Sequence, residues 1–325
     1  MEGQKSAKFG DMRTFCYLIL AVIIGACYRV PDRINPHVNY QLQDQHLAKL
    51  GSAFPPLSTI ERNSDWGREY TIARVFAEQL DLYRAVSTYK RAEILLPREE
   101  TQRKLEIQYD IVLCYYLGKK YDEAIEAFEK SDLANVDKSF PAYHDLLLIL
   151  YECYREMDQP EKEARILELI DKSFPETGEK LKVSIAIREG NLPSLECYAS
   201  GFQSPSYLDC FLDCYCNNKK SVGTAQLLNA FIPGAGYLYI GQRKSAFTAF
   251  LLNGLFIAAA YEFFHHGHVA GGIITSCFEA GWYFGGIYGA GEEAKYYNER
   301  LYERNAATVL NEYKLFPVLM LKHDF

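Results

Sequence analysis

From Trp66 onward, apolar residues recur at steps of three and four. Trp66, Tyr70, Ala73, Phe76, Ala77 and Leu80 share one face of a helix. A break at Asp81 precedes a second stripe of Tyr83, Ala85, Val86, Tyr89, Ala92, Leu95 and Leu96, closed by Pro97. The pattern then returns. Tyr109, Val112, Leu113, Tyr115 and Tyr116 predict a helix, Leu117–Tyr121 a turn, and Asp122 the N-cap of a helix carrying Ala124 and Phe128. A third, weaker unit places Leu146, Leu147, Leu150, Tyr151 and Tyr154 on one helix, and Ala164, Leu167 and Ile170 on another that starts at Pro160. Residues 176–220 predict one or two less regular helices.

The pattern changes again at Ser221. No charge occurs from Ser221 to Gln242, and Pro233-Gly234-Ala235-Gly236 breaks that run into two short segments. Ser245–Tyr261 is 17 residues without charge, and Val269–Ala290 is 22 residues with the single charge Glu279. The first is short for crossing a bilayer and the second is marginal because it holds Glu279. Gly281, Gly285 and Gly289 fall on one helix face, as do Gly254 and Ala258. Faces of small residues let helices approach closely in lipid, so a helical hairpin packed through glycines is expected. Polar groups in hydrocarbon are costly unless paired. Asn253 and Glu279 are therefore expected to lock the hairpin, Glu279 bonding Asn253 or a tyrosine hydroxyl. A proton or substrate relay through Glu279 is the sharper alternative.

At the other end, Lys5, Lys8 and Arg13 precede an uncharged run from Thr14 to Tyr28, whose apolar core Phe15–Ile24 is only ten residues. That length suits the h-region of a signal peptide better than a span. Residues 28–57 hold Pro31, Pro36, Pro55 and Pro56 among polar residues, and predict an extended linker.

Three stretches resemble known families. Ile24-Gly25-Ala26-Cys27 resembles the bacterial lipobox, which implies acylation of Cys27 and removal of residues 1–26; an uncleaved signal anchor is the alternative. Ala85-x3-Tyr89, Ala92 and Pro97, and again Ala124-x3-Phe128, resemble the second helix of a tetratricopeptide repeat, with Ala73 at a small packing position of the first helix. The step of 39 residues from Ala85 to Ala124 exceeds the usual 34. The third unit has Glu168 where the aromatic belongs. The string Pro-Gly-Ala-Gly-x2-Tyr-x-Gly with Glu279-Ala-Gly-Trp-Tyr-x-Gly-Gly-Ile-Tyr-Gly-Ala290 and Tyr296-Tyr297-Asn298 is similar to the carboxyl-terminal module of bacterial tetratricopeptide-containing envelope proteins. These resemblances imply an all-α chain: signal peptide 1–27, linker 28–57, tetratricopeptide-like α-solenoid 58–220, glycine-rich hydrophobic hairpin 221–299 and tail 300–325. A plain helical bundle is the alternative to the solenoid.

Composition narrows the function. The 325 residues are 49% hydrophobic with a net charge of −7, which argues against disorder across the chain and against generic nucleic-acid binding. Mean hydropathy of −0.18 excludes a polytopic membrane protein. No phosphate-binding loop, dinucleotide fingerprint, HExxH or GxSxG is present. No cofactor, metal or catalytic residue is assigned. His265, His266 and His268 read as a wet loop, and Cys210 and Cys214 as buried small residues on a helix face. Cys114 and Cys153 read as core. The expectation is a non-enzymatic, membrane-anchored scaffold or adaptor of the bacterial envelope. It would bind a protein partner through its repeats and touch membrane lipid through the hairpin. The alternative is an oligomeric component of an insertion or transport machine, self-associating through the hairpin. Two topology rules collide: Arg243, Lys244, Lys295, Arg300 and Arg304 flank the hairpin and would face the cytoplasm, whereas an exported amino terminus puts the same ends outside. The export signal is taken as decisive, and residues 58–220 and 300–325 are expected on the extracytoplasmic face.

Overall fold

The computed structural model describes residues 30–38, 50–200 and 206–325; Cys27 and the lipobox lie outside them. The described residues are all-helical, with no strand and one isolated bridge between Ser52 and Asp324. The chain forms two compact units. One comprises Val38–Ser204 with Ala306–Phe325, the other Met1–His37 with Pro205–Asn305.

The first unit is built from helix pairs. A short helix α1 (Thr59–Asn63) starts at a capping box, in which the Ser58 hydroxyl accepts from Glu61 N–H (3.2 Å) and the Glu61 carboxylate from Ser58 N–H (2.6 Å). There follow α2 (Asp65–Glu78) with α3 (Leu82–Leu95), α4 (Thr101–Leu117) with α5 (Tyr121–Glu129), α6 (Tyr143–Glu156) with α7 (Pro160–Ser173), and α8 (Pro175–Arg188) with α9 (Leu192–Ala199). Each helix packs on its neighbour in the chain, and α4 also packs on α6.

The turn inside each pair repeats one device. Leu80, Lys119, Asp158 and Gly190 all have positive φ, between 51° and 65°. The next residue's N–H then reaches back five positions: Asp81 to Phe76 O (2.9 Å), Lys120 to Tyr115 O (2.9 Å), Gln159 to Tyr154 O (2.9 Å) and Asn191 to Ala186 O (3.0 Å). This 6→1 bond closes the carbonyl end of the first helix and aims the chain into the second. The first three turns fall at steps of 39 residues (80 to 119, 119 to 158), matching the step read between Ala85 and Ala124.

The small positions sit where close packing needs them. Ala73, Ala85 and Ala92 are fully buried and Ala124 nearly so. The third pair departs from its expectation, since Ala164 is exposed and Ile170 is the buried residue of α7. Asp122 is not an N-cap; α5 begins at Tyr121, with Lys120 at the N-cap position and no side-chain capping bond. Helices α4 and α6 are buried on nearly every side, with Cys114 and Cys153 in their core as expected.

The second unit contains α10 (Ser206–Asn218), α11 (Val222–Phe231), α12 (Ala235–Ile240), α13 (Arg243–His265) and the part of α14 (Val269–Glu312) up to Asn305. Two successive helices, α13 and α14, stand where the hairpin was expected, and the second runs on past residue 290. The segment 300–325, expected as a tail, is helical to Glu312, then forms a 3-10 turn at Pro317–Leu319. The buried face of α10 is Leu208, Phe211, Leu212 and Tyr215; Cys210 and Cys214 are exposed free thiols, against the expectation of burial, and Cys216 is exposed as well. The aromatic residues of α10 take the inner positions because Phe211 and Tyr215 both meet Tyr302 edge-on.

Of the segment 28–57, expected as an extended linker, the described residues 30–38 do not hang free. In the second unit, Val30 and Ile34 are buried, Val30 beside Val222, Ala225, Ile240 and Ala294. Asn35 and His37 donate backbone N–H to Glu299 (3.0 Å) and Glu303 (2.7 Å).

Candidate functional site

The hairpin begins from a buried base. Asn229 on α11 accepts the Gly234 N–H (2.8 Å), and Gly234 sits at φ 95°, a conformation that needs glycine. A side chain at Gly236 would collide with Ala225 O and stand 2.9 Å from Ala290 Cβ on α14. The Tyr239 hydroxyl accepts Ser221 N–H (3.2 Å), and Asn298 clamps Lys220 through its N–H (2.7 Å) and its carbonyl (2.8 Å). Lys220 Nζ lies over the Tyr239 and Tyr297 rings at 5.1 and 6.0 Å. The Pro-Gly-Ala-Gly-x2-Tyr-x-Gly and Tyr-Tyr-Asn motifs thus spell the base of the hairpin.

The glycine face acts differently from its expectation. A Cβ added to Gly254, Gly281 or Gly285 would meet nothing within 4 Å, so these residues do not bring α13 and α14 together. The close approaches are by Gly286 to Asn229, Gly289 to Tyr237 and Gly291 to Gln226, all toward α11 and α12, and by Gly271 and Gly272 to Phe263 and Phe264 near the hairpin tip. Between tip and base the two helices leave a cleft of about 520 Å³, lined among others by Asn253, Phe256, Phe278, Gly281, Trp282 and Gly285.

Asn253 and Glu279 do not pair. Asn253 donates to Ala249 O one turn back (2.6 Å), as short polar side chains do in helices. Its Oδ1 and Glu279 Oε2 are each buried without a hydrogen-bond partner among the described residues. Outside the cleft the hairpin is apolar and open: Phe247, Phe250, Leu255, Ile257, Ile273 and Ile274 are exposed by more than half. Among the described residues one helix, α13, is long and apolar enough to cross a membrane, and only 11% of its apolar window is buried. At its end Glu262, His265 and His266 gather their ligand atoms within 4.8 Å; the sequence reading grouped the histidines but missed Glu262, one turn back.

The first unit holds its own polar constellation. Arg103, nearly buried on α4, bonds Glu61 through Nε (2.7 Å), Glu106 through Nη1 (2.6 Å) and the carbonyls of Pro55 (2.8 Å) and Pro56 (3.3 Å). Glu106 also accepts the Tyr70 hydroxyl (2.6 Å). The Arg103 bonds, with help from Ser58, hold the Glu61 carboxyl down at about 2.

The chain's own end packs on this unit. Leu315, Phe316, Val318, Leu321 and Phe325 are buried, and the turn Pro317–Leu319 packs on α6. Asp145, fully buried on α6, accepts His144 Nδ1 (2.6 Å) on one oxygen. Its other oxygen takes the backbone N–H of Lys322 (3.0 Å) and His323 (2.8 Å) and the ring of His323 (3.1 Å). Asp324 donates its N–H to Gly51 O (3.2 Å). Its carboxyl lies within electrostatic reach of Tyr109 and Cys114 on α4 and of Glu78 and Arg74 on α2. This contact has no signature in the sequence pattern, because a buried aspartate and two backbone amides carry no periodicity.

No family model, no curated protein and no solved structure matches the chain.

Proposed function

We propose that this chain is a non-enzymatic, membrane-associated scaffold or adaptor of the bacterial envelope. The helix pairs serve as a tetratricopeptide-like solenoid that binds a protein partner, and the hairpin rests in lipid. The observation that carries the reading is the exposed apolar surface of α13 and the facing turns of α14. A surface this large and apolar on a water-soluble unit would drive association, and lipid is the solvent that tolerates it. The repeated positive-φ turns and the buried alanines of the first two pairs support the solenoid, since solenoids stack equivalent pairs through small residues. Cys27 is the proposed lipid attachment site. The helix-pair unit faces away from the cytoplasm.

The second reading is an oligomeric membrane component that acts through the hairpin. The cleft between α13 and α14 favours it, because Asn253 Oδ1 awaits a donor there and polar groups are known glue between membrane helices. Photo-crosslinkers at exposed positions of both units, in the full chain in native membranes, separate the two. Adducts to another protein from the helix pairs, such as at Ile72 or Tyr83, support the adaptor. Adducts only between copies, from Leu255 or Phe278, support the oligomer and refute the adaptor.

A further inference from the structure

We infer that Glu262, His265 and His266, at the carboxyl-terminal end of α13, form a binding site for one zinc ion, with water as the remaining ligand. The site and the adaptor reading are independent, and neither needs the other.

Three observations carry it. The first is the donor set. Counting from Glu262, His265 lies three positions on and His266 four, so both neighbour it on the surface of the helix. Two imidazoles and one carboxylate suit zinc, which takes three protein ligands and leaves a fourth position to water. Magnesium and calcium prefer oxygen ligands alone.

The second is distance. One ligand atom from each of the three side chains lies within 4.8 Å of the others. With bonds of about 2.0–2.1 Å, the ligand atoms of a tetrahedral zinc site stand about 3.4 Å apart. Glu262 Oε2 and His266 Nδ1 are already 3.5 Å apart. The same nitrogen stands 3.1 Å from the Glu262 carbonyl oxygen; with the ring proton on Nε2, its lone pair is free for the ion. The His265 ring stacks on Tyr261 with centroids 5.9 Å apart, and its edge meets His266 at 5.3 Å. All three side chains are exposed, so rotation about their own bonds closes the remaining gap.

The third is charge. No Lys or Arg occurs between Lys244 and Lys295. Among the described residues, the one ion-pair contact of the Glu262 carboxylate is with His266. The carboxylate also sits in the last turn of a helix of 23 residues, where the carbonyl ends favour a cation. An ion bound here meets both sources of negative charge.

The test titrates zinc chloride into the full-length protein in detergent micelles. Exposed thiols are first blocked with N-ethylmaleimide, because Cys210, Cys214 and Cys216 would compete for the metal. Isothermal titration calorimetry should find a single site. Glu262→Gln, His265→Ala and His266→Ala should each weaken it by at least about tenfold, and the two histidine changes together by at least about a hundredfold. These positions are exposed, so the variants should keep the helical circular dichroism of wild type. His268→Ala should bind as wild type does, and magnesium chloride should give no binding heat. No zinc binding by wild type, wild-type affinity in the double variant, an equal loss in His268→Ala, or magnesium binding equal to that of zinc overturns the inference. Hydrogen exchange then locates the ion. The amides of His266, Gly267 and His268 close the end of α13 on the carbonyls of Glu262, Phe264 and Phe263. Zinc at about ten times its Kd should slow their exchange about tenfold, by holding that turn closed. Zinc binding that leaves these amides unchanged puts the ion elsewhere and overturns the inference.

Discussion

Replacing Arg103 with methionine removes one guanidinium from five bonds and leaves two carboxylates behind. Glu106 is 3% exposed and keeps only the Tyr70 hydroxyl, while Glu61 keeps Ser58 and water. Breaking a buried pair by removing one partner costs about 3–5 kcal/mol, because the remaining charge is uncompensated. For a unit of this size that is a fall of about 6–20 °C in Tm. The carbonyls of Pro55 and Pro56 also lose their donor, which releases the segment before α1. Trp66 is buried on α2 of the same unit, so its fluorescence in a Trp282→Phe background reports the unit without signal from the hairpin. Acid provides a second reading. The Glu61 carboxyl is held at about 2, below its ordinary 4.5. A depressed carboxyl contributes stability that is full above the unfolded value and is lost as pH falls through the folded one. Wild type should therefore lose this contribution between about pH 4.5 and pH 2, and Arg103→Met should show a smaller loss in that window. The double variant Arg103→Met with Glu106→Leu should recover about 2 kcal/mol relative to the single one, since an apolar pair replaces a stranded charge. A single variant within about 1 kcal/mol of wild type, or strictly additive effects, would refute the reasoning.

Other outcomes follow from the same geometry. Lys119→Gly should raise the unfolding free energy by about 0.5–1 kcal/mol in a thermal melt, because relief of the left-handed backbone at φ 55° exceeds the entropy cost of glycine. Ala85→Trp or Ala124→Trp should destabilise the helix pairs by about 1–3 kcal/mol or more, since neither site has room; an unchanged melt would mean the pairs do not pack through these residues. Gly236→Val should abolish stable assembly of the hairpin base, whereas Gly281→Ala and Gly285→Ala should be tolerated, as read by protease resistance in micelles. Mass spectrometry of the mature protein should find Cys27 acylated and residues 1–26 absent; an intact amino terminus with unmodified Cys27 would leave a signal anchor.

The parts legible in the sequence are those with local periodicity. The stripe through Trp66, Tyr70, Ala73 and Ala77 gave α2 because each residue repeats the same helical face. Asp81 was readable as a boundary because its carboxylate accepts the Arg84 N–H (3.4 Å). The turns at Lys119 and Asp158 were harder: a left-handed lysine or aspartate has no marker like glycine, and the spacing shows only once φ is known. The glycines of α14 were legible as a small face but not in their direction. A run of glycines fits several partners, and the choice of α11 and α12 depends on the Gly234 turn bringing Asn229 and Tyr237 beside them. Asn253 and Glu279 share a depth in their helices, which suggested a pair, yet the i−4 carbonyl of Ala249 takes the amide at no cost in distance. The Asp145 anchor was invisible because its partners lie 177 and 178 residues away.

The most direct measurement of the account is the environment of Trp282, which is 47% exposed on the hairpin. In a Trp66→Phe background it is the sole tryptophan of the 325-residue chain. With the full chain reconstituted in vesicles, nitroxide-labelled lipids should quench its fluorescence strongly and aqueous acrylamide weakly. Strong quenching by acrylamide with no effect of the labelled lipids would put the hairpin in water and contradict the claim that it rests in a membrane.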